Sequence, residues 1–351
     1  MKAKMEDVVL GVDTHLDIHV GAIIGESGKL LGTRSVSTSS AGYLDLYRWA
    51  CSFGSVSRAG VEGTGSYGAA LCRFLVDKEV TVFEVNRPDR AKRRLQGKTD
   101  PTDAESAARS VVAGIANAIP KQQSGACEAM RIVSVARRSA VKARTQVINQ
   151  LRAILVSGPQ EVRDRLWKTR ALDCANACAR IRSLGDGVLM ETLAFTLKSL
   201  AKRWLALTTE LKQLDRQLET LTQRYAAQLR ERFGVGPNTA AVLLSVAGDN
   251  PERLKSEASL AALCGVNPLP ASSGKTVRHR LNRGGSRAAN NALWTIAMVR
   301  MRSDPRTKKY VARRTAEGLT LKEIHRCLKR YIVRELFPLI LSDLSKVRGA
   351  A

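Results

Sequence analysis

Four carboxylates stand where a divalent cation could be held. Asp13 follows the apolar run Val8-Val9-Leu10-Gly11-Val12, and Glu62 ends Ala59-Gly60-Val61 ahead of Gly63-Thr64-Gly65. Asp100 and Asp103 lie in Lys98-Thr99-Asp100-Pro101-Thr102-Asp103-Ala104. A spacing of three puts both on one helical face, and Pro101 suits a first helical turn. Mg2+ takes oxygen ligands in octahedral geometry, typically carboxylates with waters and phosphate oxygens, and Mn2+ favours the same donors. Two such ions about 4 Å apart stabilise the attacking and leaving oxygens of a phosphoryl transfer. Singly, each acid has a plain structural role: Asp13 and Glu62 as turn residues, Asp100 and Asp103 as helix N-terminal acids favoured by the dipole. Crowding all four together costs free energy without a cation, so their joint occurrence points to a metal site. Asp17, close by, reads as a surface residue.

The elements that must position these acids are legible as a pattern. Val8–Val12, Ile18–Ile24 and Leu30–Val36 read as three closely spaced strands, with Glu26-Ser27-Gly28-Lys29 as a turn. A helix from about Ser40 to Cys51 follows, then a strand at Arg58–Glu62, a helix at Tyr67–Asp77, a strand at Val80–Val85 and a helix over 101–115. Three strands in a row, then alternating helix and strand, is the order expected of an RNase H-like sheet, although the pattern by itself specifies only an α/β fold. Residues 125–230 carry almost no strand signal. Trp204, Leu207, Leu211, Leu214, Leu218, Leu221 and Tyr225 are spaced alternately by three and four, a heptad seam. It predicts a helical hairpin or a coiled coil between subunits. Gly234-Val235-Gly236-Pro237-Asn238-Thr239 ends that helix and starts another; it resembles the turn of helix-hairpin-helix modules, and a plain helix cap explains it equally well.

Charge divides the chain. Of 351 residues, 57 are Lys or Arg and 32 are Asp or Glu, a formal net charge of +25. Residues 1–120 hold 15 basic and 14 acidic residues, whereas 121–351 hold 42 and 18. A polyanion is the natural partner for such an excess. Lys275, Arg278, His279, Arg280, Arg283 and Arg287 cluster with no acid between 273 and 290, beside Gly284-Gly285, which could admit nucleic acid close to the backbone. The seven cysteines include no CxxC pair, and neither Cys174 nor Cys178 has a histidine suitably placed beside it, which argues against a zinc site and for reduced thiols. With no apolar run of about 20 residues and a charged start, the chain is expected to be cytoplasmic, without membrane contact.

With these residues in view, the sequence resembles the DEDD transposases of the insertion-sequence 110 family, including its 1111 subgroup. The resemblance rests on Gly11-Val12-Asp13-Thr14-His15, Glu62-Gly63-Thr64-Gly65-Ser66-Tyr67, Asn86-Arg87-Pro88 and the Asp100–Asp103 motif. In the basic half it rests on Ala262-Leu263-Cys264-Gly265-Val266-Asn267-Pro268, Ser272-Ser273-Gly274-Lys275 and the stretch from Arg278 to Arg287. The resemblance implies a RuvC-like (RNase H-like) domain over 1–120 whose catalytic metal ligands are Asp13, Glu62, Asp100 and Asp103. A helical, coiled-coil region over 121–230 and a mainly α transposase domain over 231–351 would follow.

The family's nucleophile, a serine immediately before a glycine, maps onto Ser273, with Ser272 adjacent. A serine hydroxyl needs activation, expected here from the metals, within one chain or across a subunit boundary. The implied partners are donor DNA, target DNA, an element-encoded bridge RNA and further copies of the chain as a dimer or tetramer. Two other readings compete: a RuvC-like junction nuclease or DNA invertase, and a non-catalytic basic nucleic-acid-binding protein.

Overall fold

The computed structural model describes residues 6–85, 99–275 and 279–348. Two compact units emerge: residues 1–124 with 248–255, and residues 125–247 with 256–351.

The first unit is built on a mixed sheet of five strands, β1 (Asp7–Thr14), β2 (Ile18–Gly25), β3 (Leu30–Ser37), β4 (Ser55–Glu62) and β5 (Thr81–Val85), in the order β3-β2-β1-β4-β5. β1 runs antiparallel to β2 and parallel to β4; β2–β3 is antiparallel and β4–β5 parallel. Helices α1 (Ser40–Cys51) and α2 (Ala69–Asp77) supply the crossovers, and α3 (Asp100–Val112) follows the sheet. Ser39 caps α1 by accepting a hydrogen bond from the Gly42 amide at 3.1 Å.

Both faces of β1 and β2 are covered, which is why they read as unbroken apolar runs rather than alternating ones. Leu10, Val12, Ile23, Ala59 and Val61 pack on one face with Leu46 of α1 and Leu71 and Leu75 of α2. On the other, Val9, Ile24, Val20 and Ala22 meet Ala104, Ala108 and Val111 of α3. Glycine makes this second layer possible. A Cβ on Gly11 would lie 2.1 Å from the Ala104 carbonyl oxygen, and one on Gly60 2.7 Å from that of Ala107. Helix α3 therefore rests on bare strand backbone. We expect Gly11→Val to lower unfolding stability by about 3 kcal/mol or more in urea titration, whereas Gly65→Ala, with nothing within 4 Å of the added carbon, stays near wild type.

Segment 248–255 belongs to this unit although it comes late in sequence. Asn250 donates to the Pro120 carbonyl at 3.0 Å, and Arg253 donates to the Ile119 carbonyl at 3.0 Å.

The second unit is mainly helical: α4 (Ala126–Ser157), α5 (Gln160–Leu166), α6 (Ala171–Ala179), α7 (Val188–Tyr225), α8 (Ala227–Arg230), α9 (Pro237–Ala247), α10 (Glu257–Leu263), α11 (Arg287–Ser303), α12 (Pro305–Ala316) and α13 (Leu321–Arg348). One two-stranded ribbon, β6 (Pro268–Pro270) with β7 (His279–Leu281), interrupts it. The heptad seam is used inside the chain. α7 lies antiparallel to α4, joined by Leu151, Leu155, Leu197, Ala201 and Trp204 in one core, by Arg144 over the Trp204 ring and by an Arg137–Asp215 ion pair. Trp204, Leu211 and Leu218 are buried; Leu207, Leu214, Leu221 and Tyr225 are half-buried. Among the described residues, no helix is long and apolar enough to cross a membrane.

Candidate active site

Strand register brings the acids of the first unit to one edge. β1 and β4 are paired in parallel with Gly11 opposite Gly60 and Val12 opposite Val61. Both glycines face α3. Side chains alternate along a strand, so Asp13 and Glu62, two residues on, fall on that same face. Helix α3 starts there, with Asp100 and Asp103 in its first turn. The Thr14 hydroxyl donates to the Glu62 carbonyl at 2.8 Å and ties the two strand ends together. Gly63, at φ +68°, then turns the chain away, with its backbone packed close to the Thr14 hydroxyl.

Asp13 is buried, with 6% of its surface exposed, and Asp103 is 4% exposed; Asp100 remains half-exposed. His15 sits over the two ends of the cluster, its Nε2 3.1 Å from Asp13 Oδ2 and 3.5 Å from Asp100 Oδ1. Ligand atoms of Asp13, His15 and Asp100 all lie within 4.8 Å of one another. Burial is the main force raising the Asp13 carboxyl above its ordinary value; Asp103 and Asp100 add to it, and His15 opposes it. A carboxylate held in this way favours either a proton or a cation. The donor set fits a hard divalent ion through its carboxylate oxygens. Imidazole suits softer ions, so His15 fits better as the group that orients Asp13 and Asp100. Asp17 is exposed.

His15 is a site residue that sequence reasoning passed over, although it stands in the quoted motif. Along an ideal strand Asp13 and His15 would share a face, yet β1 ends at Thr14, so alternation alone could not place it.

In the second unit, Ser273 and Lys275 are exposed in the segment between β6 and β7, on either side of Gly274 at φ +56°. Arg278 lies outside the described residues, as do Asn86-Arg87-Pro88 and Lys98. His279, Arg280, Arg283 and Arg287 line one cavity of about 1130 Å³. Among the described residues, no carboxylate is within ion-pair range of Arg280, Arg283 or Arg287. The structure gives Gly285 another reason than access for nucleic acid: a Cβ there would lie 2.2 Å from the Gly265 amide nitrogen, so the glycine serves a close approach of two protein segments.

Residues 10–158 match a family model described as a transposase of the DEDD, IS110 type, and residues 226–312 match one described as the transposase IS116/IS110/IS902 family. Together these segments take in about two thirds of the chain. The chain belongs to the IS110 family of transposases. All four carboxylates fall in the first matched segment of this IS110 chain and Ser273 in the second. It is also 30% identical over 151 residues to the insertion element IS900 uncharacterized 42 kDa protein of Mycobacterium paratuberculosis. That alignment covers 42% of this chain and 37% of the relative's length.

Proposed function

We propose that this chain is a site-specific DNA recombinase that cuts and rejoins strands to move an insertion element. The observation that carries the proposal is the gathering of Asp13, His15 and Asp100 within 4.8 Å, with Asp103 close enough to act on Asp13, in a transposase of the IS110 family. The strand order β3-β2-β1-β4-β5, with β1 antiparallel to β2 and parallel to β4, supports reading the first unit as an RNase H-like, RuvC-like catalytic domain. Asp13, Glu62, Asp100 and Asp103 are its metal ligands. Bound Mg2+ or Mn2+ would stabilise the charge on the phosphate oxygens of the scissile bond.

Ser273 is the nucleophile. Its Oγ attacks phosphorus, the bond from phosphorus to the 3′ oxygen breaks, and the 3′-hydroxyl leaves with a proton. The serine is then joined to a 5′-phosphate, which conserves the ester for attack by a new 3′-hydroxyl. The exposed setting of Ser273 before a left-handed glycine supports a hydroxyl that a DNA backbone can reach. Lys275, Arg278, His279, Arg280, Arg283 and Arg287 bind phosphates, an arrangement supported by the excess positive charge of this half. An element-encoded bridge RNA chooses donor and target DNA, and the working form is a homo-oligomer.

The full chain, purified with the RNA that accompanies it and given element-end DNA, is expected to cleave and exchange strands in Mg2+ and to do neither in chelator. The RNA should map beside the gene. Strand exchange undiminished by ribonuclease would overturn guidance, and DNA binding with no metal-dependent cleavage would overturn the enzyme.

A further inference from the structure

The cavity of the second unit is lined by more than the basic residues of the β6–β7 ribbon. Arg287, Asn290, Asn291 and Trp294 lie on it from α11, at offsets of three, four and seven, which is one face of that helix. Arg326, Lys329, Arg330 and Tyr331 face it from α13. Two helix faces and a ribbon thus form a cleft whose lining is rich in cations, with Glu323 as its one acid, and carries two aromatic rings.

A polar knot ties the elements that line the cleft to one another. Asn290 donates to the carbonyls of Cys264 and Gly265, each at 3.0 Å, and its side-chain oxygen accepts from Lys329 Nζ at 2.8 Å. Glu257 binds Arg330 and so fixes that guanidinium against α10. Burial, and then Arg326, hold the Lys329 ammonium below its ordinary value. None of these groups needs a ligand to keep its place. Trp294, tilted against the His325 ring, and Tyr331, edge-on to Tyr310, are still 45% and 55% exposed. Large exposed rings beside cations, in an open concavity, match the physics of single-strand binding. Phosphates track the cations, and unpaired bases stack on the rings. A duplex keeps its base faces stacked inside and leaves such rings nothing to cover.

We propose that this cleft binds a single-stranded stretch of nucleic acid, with Trp294 as the stacking platform and Tyr331 as a second. The inference deepens the proposed function by assigning unpaired nucleotides, of RNA or DNA, to this face. Bases, not only phosphates, then contribute to affinity here.

The test uses the full chain and four probes: oligothymidine, oligouridine, an abasic strand of equal length, and a duplex. We expect Trp294→Ala to weaken binding of the base-bearing strand about ten- to a hundredfold, with abasic strand and duplex changed less than about twofold. Trp294→Phe should recover most of the loss, and the slope of affinity against salt should be unchanged, since no cation is removed. Tighter binding of oligouridine would assign the cleft to an RNA strand and of oligothymidine to a displaced DNA strand; either upholds the proposal. Equal losses on all probes, or no loss on the base-bearing strand, would overturn it while leaving the recombinase reading intact. A wild-type chain that binds none of the four would overturn the nucleic-acid reading itself.

Discussion

Replacing Asp13 by asparagine is expected to abolish metal-dependent strand cleavage while making the metal-free protein harder to melt. The first effect follows from losing a ligand at the centre of the acidic set. Metal stabilisation of a phosphoryl transition state amounts to several kcal/mol, so the rate should fall by at least about 10³-fold. The second effect has the opposite sign to most core substitutions. Burial, then Asp103 and Asp100, raise the Asp13 carboxyl above its ordinary value. An acid whose folded value is raised contributes stability that is fully present below its unfolded value and lost as pH rises through the folded value. At neutral pH the Asp13 carboxyl therefore weighs against the fold, and asparagine removes the ionisable group while keeping the shape. In chelator, the variant should melt above wild type, with the gap closing as pH falls into the acid range. Added Mg2+ should raise the melting temperature of wild type more than that of the variant. A variant that cleaves normally, or that melts earlier in chelator at neutral pH, would remove Asp13 from the role assigned to it.

Ser273→Ala is expected to reduce recombination by about 10⁴-fold or more, the scale of losing a covalent nucleophile, with DNA affinity within about twofold of wild type. The residue is exposed beside Gly274, so losing its hydroxyl should leave no cavity and no unsatisfied buried group. Denaturing electrophoresis after reaction with labelled DNA should show a protein–DNA adduct in wild type and none in the variant. Ser272→Ala should keep the adduct. Loss of activity in Asp13→Asn but not in Ser273→Ala would turn the chain into a metal nuclease. Full activity in both would leave a binding protein whose chemistry is done elsewhere.

Much of the first unit is legible because its signals are local. The apolar runs at 8–12, 18–24 and 30–36 become β1, β2 and β3 with their ends moved by a residue or two. Asp100 and Asp103 start a helix as their proline and spacing imply. The heptad seam of α7 is equally plain, because a stripe needs only one helix to be seen. Its partner is not: α4 meets it through residues more than forty positions away, and no pattern within α7 specifies α4 over a second subunit. The cleft is hidden for the same reason. Arg326, Arg330 and Arg334 recur at intervals of four along α13, and nothing in that spacing shows that Asn290 of α11 binds Lys329 beside them. Nothing local marks Trp294 either, since only tertiary packing decides which face of α11 is left uncovered. The return of 248–255 to the first unit uses polar contacts such as those of Asn250 and Arg253, and no periodicity encodes those.

Because α3 sits directly on the main chain of Gly11 and Gly60, the interval between Asp13 and the acids at the start of that helix is set at that contact by peptide geometry more than by side-chain bulk. Exchanging one aliphatic residue for another elsewhere in the hydrophobic layers can loosen the molecule but gives little leverage over that interval. The acidic gauge is in effect all-or-none. It holds its calibration while the helix stays seated, and it is lost in one step when the helix lifts.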